Sequence, residues 1–283
     1  MEFSSPATKI IELRHSKRDY LDESFSNELI DRIQSILSEN NKGPLGNLVE
    51  FKLIEKSTAK ADHKVKLGTY GFISGARYFI AGAINLSKPY ILEDYGFLLE
   101  KIILHLTDMG LGTCWLGGTF KRSDYANLWG NDKQLVIPAI TPVGYPQQSK
   151  SIRENIIRWG AKSDSRKPWN ELFFDHHFGN PLPETIAGDF QLPLEMLRMA
   201  PSASNKQPWR VVKHGIYYHF YLLENPGYDK VIKTIKLQRV DMGIAMSHFE
   251  ITCRELGLKG FWQIQQPDIE VKQEQYLVSW KTE

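Results

Sequence analysis

Ala200-Pro201-Ser202-Ala203-Ser204-Asn205-Lys206-Gln207-Pro208-Trp209-Arg210 lies between an apolar-periodic segment, Leu192 to Met199, and a run of extended character, Val211 to Leu223. The position predicts a turn between a helix and a strand. Pro, Ser and Asn suit such a turn because they restrict the backbone, cap helix ends and bond nearby amides. Gln-Pro-Trp directly afterwards asks for a further reason. Small side chains let a ligand come close to the backbone, and Asn and Gln carry amides that both donate and accept. That composition suits a flat heteroaromatic ligand with polar edges. A capped turn followed by a core Trp explains the same residues, so the rest of the chain has to separate the two readings.

Beyond this turn, Val240 to Leu256 reads as a helix and Tyr276 to Trp280 as a final strand. Before it, residues 91 to 109 form the longest apolar helix. Phe97, Leu98, Leu99, Ile102, Ile103, Leu104, Leu106 and Met109 leave almost no polar face, which predicts burial between layers or subunits. Gly110 and Gly112 end it, and Thr113-Cys114-Trp115-Leu116-Gly117-Gly118-Thr119-Phe120 follows. Val136 to Val143 is a strand candidate whose Pro138 and Pro142 predict an edge or an irregular course.

At the start of the chain, Lys9 to Leu13 opens a helix that runs into Arg14-His15-Ser16-Lys17-Arg18. Ser26 to Leu37 is a second helix, with Ser26 as N-cap and Leu29, Ile30, Ile33, Ile36 and Leu37 at helical spacing. Asn40 to Pro44 breaks the chain, and Phe51 to Ile54 and Arg77 to Ala83 are strand candidates. Ser149 to Pro168 reads as a charged loop. Leu172 to Gly188 reads as irregular and holds His176-His177, which have no companion at metal-ligand spacing; no metal site is expected.

The two apolar helices echo each other. Asp94-Tyr95-Gly96 resembles Asp241-Met242-Gly243, an offset of 241 − 94 = 147. The same offset puts Gly110 on Gly257, Leu111 on Leu258 and Trp115 on Trp262. Asn41-Lys42-x-Pro44 likewise resembles Asn205-Lys206-x-Pro208. Such self-similarity decides the architecture: two tandem half-domains, residues 1–165 and 166–283, each a helix, strand, buried helix and strand, with the buried helices packed together. Only the first half has the Arg14-to-Arg18 cluster and the Leu116-Gly117-Gly118 element, and only the second has Ala-Pro-Ser-Ala-Ser-Asn. The complementary loss predicts one composite site.

The totals narrow the function classes. The chain has 283 residues, 42% hydrophobic and 24% charged, as in ordinary globular proteins. A net charge of +2 gives no general pull toward nucleic acid. Cys114 and Cys253, without C-x-x-C spacing, predict core thiols in a reducing compartment. The N-terminus is unlike a signal peptide, and no apolar run reaches the ~20 residues of a membrane span. A cytoplasmic protein without membrane or nucleic-acid partners is expected.

Arg14-His15-Ser16-Lys17-Arg18 suits a phosphate. In an extended chain Arg14, Ser16 and Arg18 fall on one side, with forked guanidinium donors matched to phosphate oxygens. A solvated basic loop is the alternative. Leu116-Gly117-Gly118 can bring backbone N–H groups against a ligand because Gly has no side chain in the way. Gly110-x-Gly112 ends a helix instead of opening one, so it is not a dinucleotide fingerprint.

Together, Arg-x-Ser-x-Arg, Ala-Pro-Ser-x-x-Asn-x-Gln-Pro-Trp and Gly-Leu-Gly-Thr-Cys-Trp-Leu-Gly-Gly resemble the nitroreductase family of FMN flavoproteins, over nearly the whole sequence. Their order, with the Pro-Ser turn displaced to near residue 200, resembles the branch in which two half-domains are fused in one chain. The resemblance implies an α+β nitroreductase-like fold packed as a pseudo-dimer around central buried helices.

It also implies that Arg14, Ser16 and Arg18, with His15 alongside and Arg166 from later in the chain, hold the FMN phosphate. Leu116, Gly117 and Gly118 would lie along the isoalloxazine edge. Pro201, Ser202, Ala203, Ser204, Asn205 and Gln207 would come from the pseudo-partner half, Lys66 would reach the pyrimidine edge, and Trp209 would border the pocket. Many members have an acidic residue where this chain has Gly117, so a backbone amide would serve there. The implied activity is hydride transfer from NAD(P)H through FMN to a small electron-poor acceptor, a nitroaromatic or quinone, with no dedicated acid–base side chain. Reductive dehalogenation, flavin breakdown and non-catalytic flavin binding are the alternatives. A monomer acting as a pseudo-dimer is expected, with a homodimer as the other arrangement.

Overall fold

Ser26 accepts a hydrogen bond from the Leu29 N–H at 3.2 Å and starts the helix Asn27–Glu39, which turns Ile33, Ile36 and Leu37 inward. This is helix α2, after α1 (Ala7–Leu13). The computed structural model describes residues 2–56, 69–130, 132–147, 165–225 and 235–283. The other long helices are α3 (Ile91–Asp108), α4 (Gln191–Arg198) and α5 (Leu237–Glu255). The strands are β1 (Glu50–Glu55), β2 (Tyr78–Asn85), β3 (Gly112–Thr113), β4 (Leu135–Val136), β5 (Ile140–Gly144), β6 (Phe173–Asp175), β7 (Trp209–His214), β8 (Tyr217–Leu223), β9 (Gly260–Gln263) and β10 (Glu274–Thr282).

These strands form two sheets, so the fold is α+β. The first runs β1-β2-β5-β3, with β4 pairing β2; the second runs β6-β7-β8-β10-β9. Without β6, the second sheet repeats the first in order, and its long helix occupies the same place in the chain. β6 is an addition. It lies parallel to β7, Phe173 opposite Val211, just after the chain leaves the first sheet.

The long helices α3 and α5 pack on each other, and two glycines set how closely. A Cβ built on Gly96 would stand 2.1 Å from the Val240 carbonyl oxygen, and one on Gly243 would stand 1.9 Å from that of Glu93. Backbone therefore lies on backbone where the helices cross. Around the crossing, Leu99, Ile102, Ile103, Met246 and Phe249 are fully buried, each worth ~1.5–3 kcal/mol by transfer from water. Phe249 also packs edge-on to Phe220, Trp262 and Trp280 at ring separations of 5.4 to 6.0 Å.

Several sequence expectations need correction. Val211 to Leu223 is a hairpin, β7 and β8, that reverses through Gly215 at φ +60°. Val136 to Val143 divides into β4 and β5, and β5 is internal, between β2 and β3. Pro142 is tolerated there because β3 pairs only Val143 and Gly144, leaving its outer side beyond the end of that strand. α3 has more buried polar groups than a purely apolar helix would: Glu93, Asp94, Glu100 and His105 are all buried. The irregular reading of Leu172 to Gly188 missed β6.

No helix among the described residues is long and apolar enough to cross a membrane, and no group of three His, Cys, Asp or Glu among them could hold a metal ion. Cys114 and Cys253 are buried free thiols, and burial pushes the Cys253 thiol up.

Candidate functional site

The Arg14-to-Arg18 cluster begins where α1 ends. Arg14 is the C-cap of α1, with extended backbone, and the strand-like residues after it run beside β3. Ser16 bridges Thr113, and the Lys17 N–H donates to the Thr113 carbonyl at 2.8 Å. The expected alternation does not put all three residues into one set of contacts. Arg14 is buried, its Nε 3.6 Å from Oε1 of Glu100 on α3. Arg18 has a buried Nη1, and neither that atom nor Arg14 Nε has a hydrogen-bond partner among the described residues. His15 is exposed, and its Nδ1 donates to the Leu13 carbonyl at 2.9 Å, closing the end of the helix.

Four residues beyond Thr113 lies the glycine element. The Leu116 N–H is already committed to the Ile140 carbonyl at 2.9 Å, and its side chain is core. The amides free for a ligand are therefore narrowed to Gly117 and Gly118. Gly117 is fixed by packing as well. A Cβ there would lie 2.7 Å from Cδ1 of Leu237, the first residue of α5.

Four residues along α5 from Leu237 is Asp241, which holds the Pro-Ser turn. Its Oδ1 accepts the Ala203 N–H at 3.0 Å, while Oδ2 is buried without a partner among the described residues. Burial raises this carboxyl to about 8. The turn itself is strained: Ser204, Asn205 and Gln207 have φ of 49°, 53° and 48°. Non-glycine residues there cost ~1–2 kcal/mol each, and such strain tends to collect at ligand clamps.

What holds the turn together is its own polar side chains. Ser202 Oγ accepts the Gln207 N–H at 2.9 Å. The Asn205 amide donates to the Ser165 carbonyl at 2.8 Å, and Gln207 Oε1 accepts the Lys167 N–H at 2.8 Å. Asn205 and Gln207 thus brace the segment carrying Arg166, beyond any ligand contact. Arg166 donates from Nη2 to the Met199 carbonyl at 3.0 Å. Pro201, Ser202 and Ala203 are half-buried along the rim and Ser204 is exposed. Trp209, expected at the pocket, is fully buried in the main core. Lys66 lies outside the described residues.

These contacts close a circuit. The Arg cluster lies on Thr113, the glycine element on Leu237, the Pro-Ser turn on Asp241 of the same helix, and Arg166 on the turn and Met199. Met196 and Met199 pack in turn against Ile10 and Ile11 of α1. Residues distant in sequence are thereby linked in one chain of contacts, in which α1 itself packs on the far end of α5, the Ala7 and Thr8 N–H groups donating to Glu255. Sequence reading missed Asp241, Leu237, Glu100 and His248 in this circuit. The available signal was charge: ionisable residues inside an apolar helix need partners.

A family model described as "Putative TM nitroreductase" matches residues 7–253. The chain belongs to this nitroreductase family. A "putative nitroreductase" of Thermotoga maritima whose crystal structure is known shares 22% identity, with 100% of this chain and 95% of that chain covered at a TM-score of 0.59. At that identity the likeness shows the nitroreductase fold. A "Putative NADH dehydrogenase/NAD(P)H nitroreductase" of Archaeoglobus fulgidus is 25% identical over 177 residues, 57% of this chain and 97% of its own length. A nitroreductase with bound FMN from Desulfitobacterium hafniense covers 52% of this chain and 92% of that chain, at 17% identity and a TM-score of 0.41.

Proposed function

We propose that this nitroreductase is an FMN-dependent oxidoreductase that passes a hydride from NAD(P)H to an electron-poor acceptor such as a nitroaromatic or quinone. The observation that carries the reading is a pair of buried guanidinium atoms without a hydrogen-bond partner among the described residues, Arg14 Nε, 3.6 Å from Glu100 Oε1, and Arg18 Nη1. Buried polar groups in native proteins find partners almost without exception, so two cationic donors left over in one short segment call for an anionic acceptor from outside. A phosphate monoester supplies such oxygens in tetrahedral array.

Arg14, Ser16 and Arg18 would hold the phosphate of FMN, with His15 beside them and Arg166 approaching from the Met199 side. Gly117 and Gly118 would offer N–H groups to the ring system, and Pro201 to Asn205 would form the opposite lip, with Gln207 bracing it. Bound FMN supplies the hydride chemistry. The chain's share would be to bind the phosphate, orient the ring system and set the local charge. NAD(P)H as donor is consistent with the name of the Archaeoglobus relative.

We read the chain as two fused halves, 1–165 and 166–283, that share one such site. The repeated strand order and the reciprocal Gly96 and Gly243 contacts support this reading. Apo-protein titrated with FMN while its mass is measured in solution should bind one FMN per chain as a monomer. The loaded protein should then oxidise NADH or NADPH when a nitroaromatic or quinone is added. Absence of flavin binding, or a stoichiometry of two, would overturn the reading.

A further inference from the structure

We propose that His248, on α5 in the second half, keeps Arg14 available for the phosphate by taking up the charge of Glu100. This rests on the reading that Arg14 binds the FMN phosphate. Glu100 on α3 is fully buried and has three partners from three places in the chain. Arg14 Nε lies 3.6 Å from its Oε1, His248 Nε2 lies 2.8 Å from the same oxygen, and Trp115 Nε1 donates to Oε2 at 2.5 Å. His248 is also fully buried, and its Nδ1 lies 3.0 Å from the Met196 carbonyl oxygen on α4.

The charges follow from the partners. A carbonyl oxygen only accepts, so Nδ1 of His248 carries a proton. Burial pushes the Glu100 carboxyl upward, but the His248 hydrogen bond, the Arg14 charge and the Trp115 donor outweigh it and hold the group below the usual carboxylate range. Oε1 of Glu100 lies 2.8 Å from Nε2, so the hydrogen bond between them holds one further proton, and the ring and the carboxyl together carry no net charge. Beside this neutral His248–Glu100 pair stands one cation, Arg14.

One positive charge is left over, and it lies with Arg14. The shorter contact to Glu100 belongs to His248, and Arg14 Nε stays outside hydrogen-bond distance. Without His248, Glu100 would neutralise Arg14 directly, and an incoming phosphate would meet a balanced pair. His248 is therefore a positioning residue that acts through Glu100, a contribution from the second half to the phosphate contact made by Arg14 in the first.

The test compares dissociation constants for FMN and riboflavin, by flavin fluorescence quenching, in the wild type, His248→Gln, Glu100→Gln and the double variant. His248→Gln should weaken FMN by ~10-fold or more and riboflavin by less than about 3-fold, because riboflavin has no phosphate to sense the charge. The double variant, which again carries the lone Arg14 charge, should recover FMN binding to within about 3-fold of wild type. Equal losses for both flavins, unchanged FMN binding in His248→Gln, or no recovery in the double variant would overturn the proposal.

Arg14→Ala separates the two readings. If FMN affinity does not respond to Arg14→Ala, the phosphate lies elsewhere and the underlying assignment has failed. If it responds while His248→Gln does not, only this inference has failed. Should His248→Gln not fold, nitrogen NMR of the wild-type His248 ring at pH 7.5 decides instead. A proton in the Nε2–Glu100 hydrogen bond is expected, and its absence would refute the charge assignment.

Discussion

Substituting Gly243 by Ala probes the joint on which the site depends. The added Cβ would lie 1.9 Å from the Glu93 carbonyl oxygen and 2.7 Å from the Phe97 nitrogen, both backbone atoms of α3. Neither can rotate away. A carbon–oxygen contact relaxes only near ~3.3 Å, so α3 and α5 would have to part by roughly 1.4 Å along their most tightly packed stretch. Overpacking of this kind costs ~1–3 kcal/mol and sometimes more, against a gain of ~1 kcal/mol from replacing a helical Gly with Ala. Forced separation of buried helix backbones belongs at the upper end, so we expect a net loss of ~2–3 kcal/mol and a melting temperature lower by ~4–12 °C at ~2–4 °C per kcal/mol.

Calorimetry of Gly243→Ala should be run beside Gly257→Ala, whose Cβ would meet nothing within 4 Å and which faces only the strain of φ +70°. Because α5 carries both Leu237 and Asp241, FMN binding should also weaken in Gly243→Ala and not in Gly257→Ala. A Gly243→Ala protein that melts within 1 °C of wild type, or no lower than Gly257→Ala, would refute the close-contact argument.

Removing both guanidinium groups, Arg14→Ala with Arg18→Ala, should weaken FMN by ~100-fold or more, at ~1.5–3 kcal/mol per charge-assisted bond, in equilibrium titration. Gly117→Val should abolish flavin binding by driving into Leu237 Cδ1, 2.7 Å from the Cβ position, and Leu237→Ala in the same chain should restore part of it. For pH, the Asp241 and Glu93 carboxyls are raised by burial to about 8 and about 7. Folded pKa values above the unfolded ones mean that stability is full at low pH and is lost as pH rises through the folded values. Melting temperature should therefore fall between pH 5 and pH 8.5, and Asp241→Asn should flatten the fall; an identical slope would count against the buried neutral acid.

Which parts of this were legible in the sequence follows from what each signal measures. The apolar period of α2 and α3, the Ser26 cap and the Gly breaks are local, and the structure follows them closely. So is the Pro-Ser turn, whose left-handed residues include Asn205, a residue that tolerates such backbone. The hairpin at Gly215 was hidden because Val211 to Leu223 is almost continuously extended in character, and one Gly is a weak turn signal. β6 and β9 are three and four residues long and are set by the neighbours they pair with. Partners were the least legible. Nothing near Glu100 in sequence announces His248, 148 positions away, and nothing in Asn205 or Gln207 says that their amides bind the backbone of Ser165 and Lys167 instead of pointing at a ligand.

The two turns held by the buried helices indicate why one site would persist where symmetry offers two. Asp94 accepts three hydrogen bonds, from the Leu45 and Asn47 N–H groups and the Asn47 amide, each at 2.9 Å. Gly43 is pressed so closely on that carboxyl that a Cβ would stand 2.2 Å from its Cγ. The first turn is closed around its anchor and has no orphaned acceptor there. Asp241, its counterpart, accepts one bond and keeps a buried oxygen without a partner among the described residues, while three residues of its turn stay in strained backbone. Strain and unspent hydrogen-bonding capacity persist only where something offsets them. The turn on α3 is closed by its own hydrogen bonds, and the turn on α5 stays strained. Asp241→Ala should then loosen the second turn and cost flavin affinity, whereas Asp94→Ala should cost stability and leave the flavin dissociation constant nearly unchanged. Equal effects of the two substitutions on flavin binding would mean that the halves have not divided these roles.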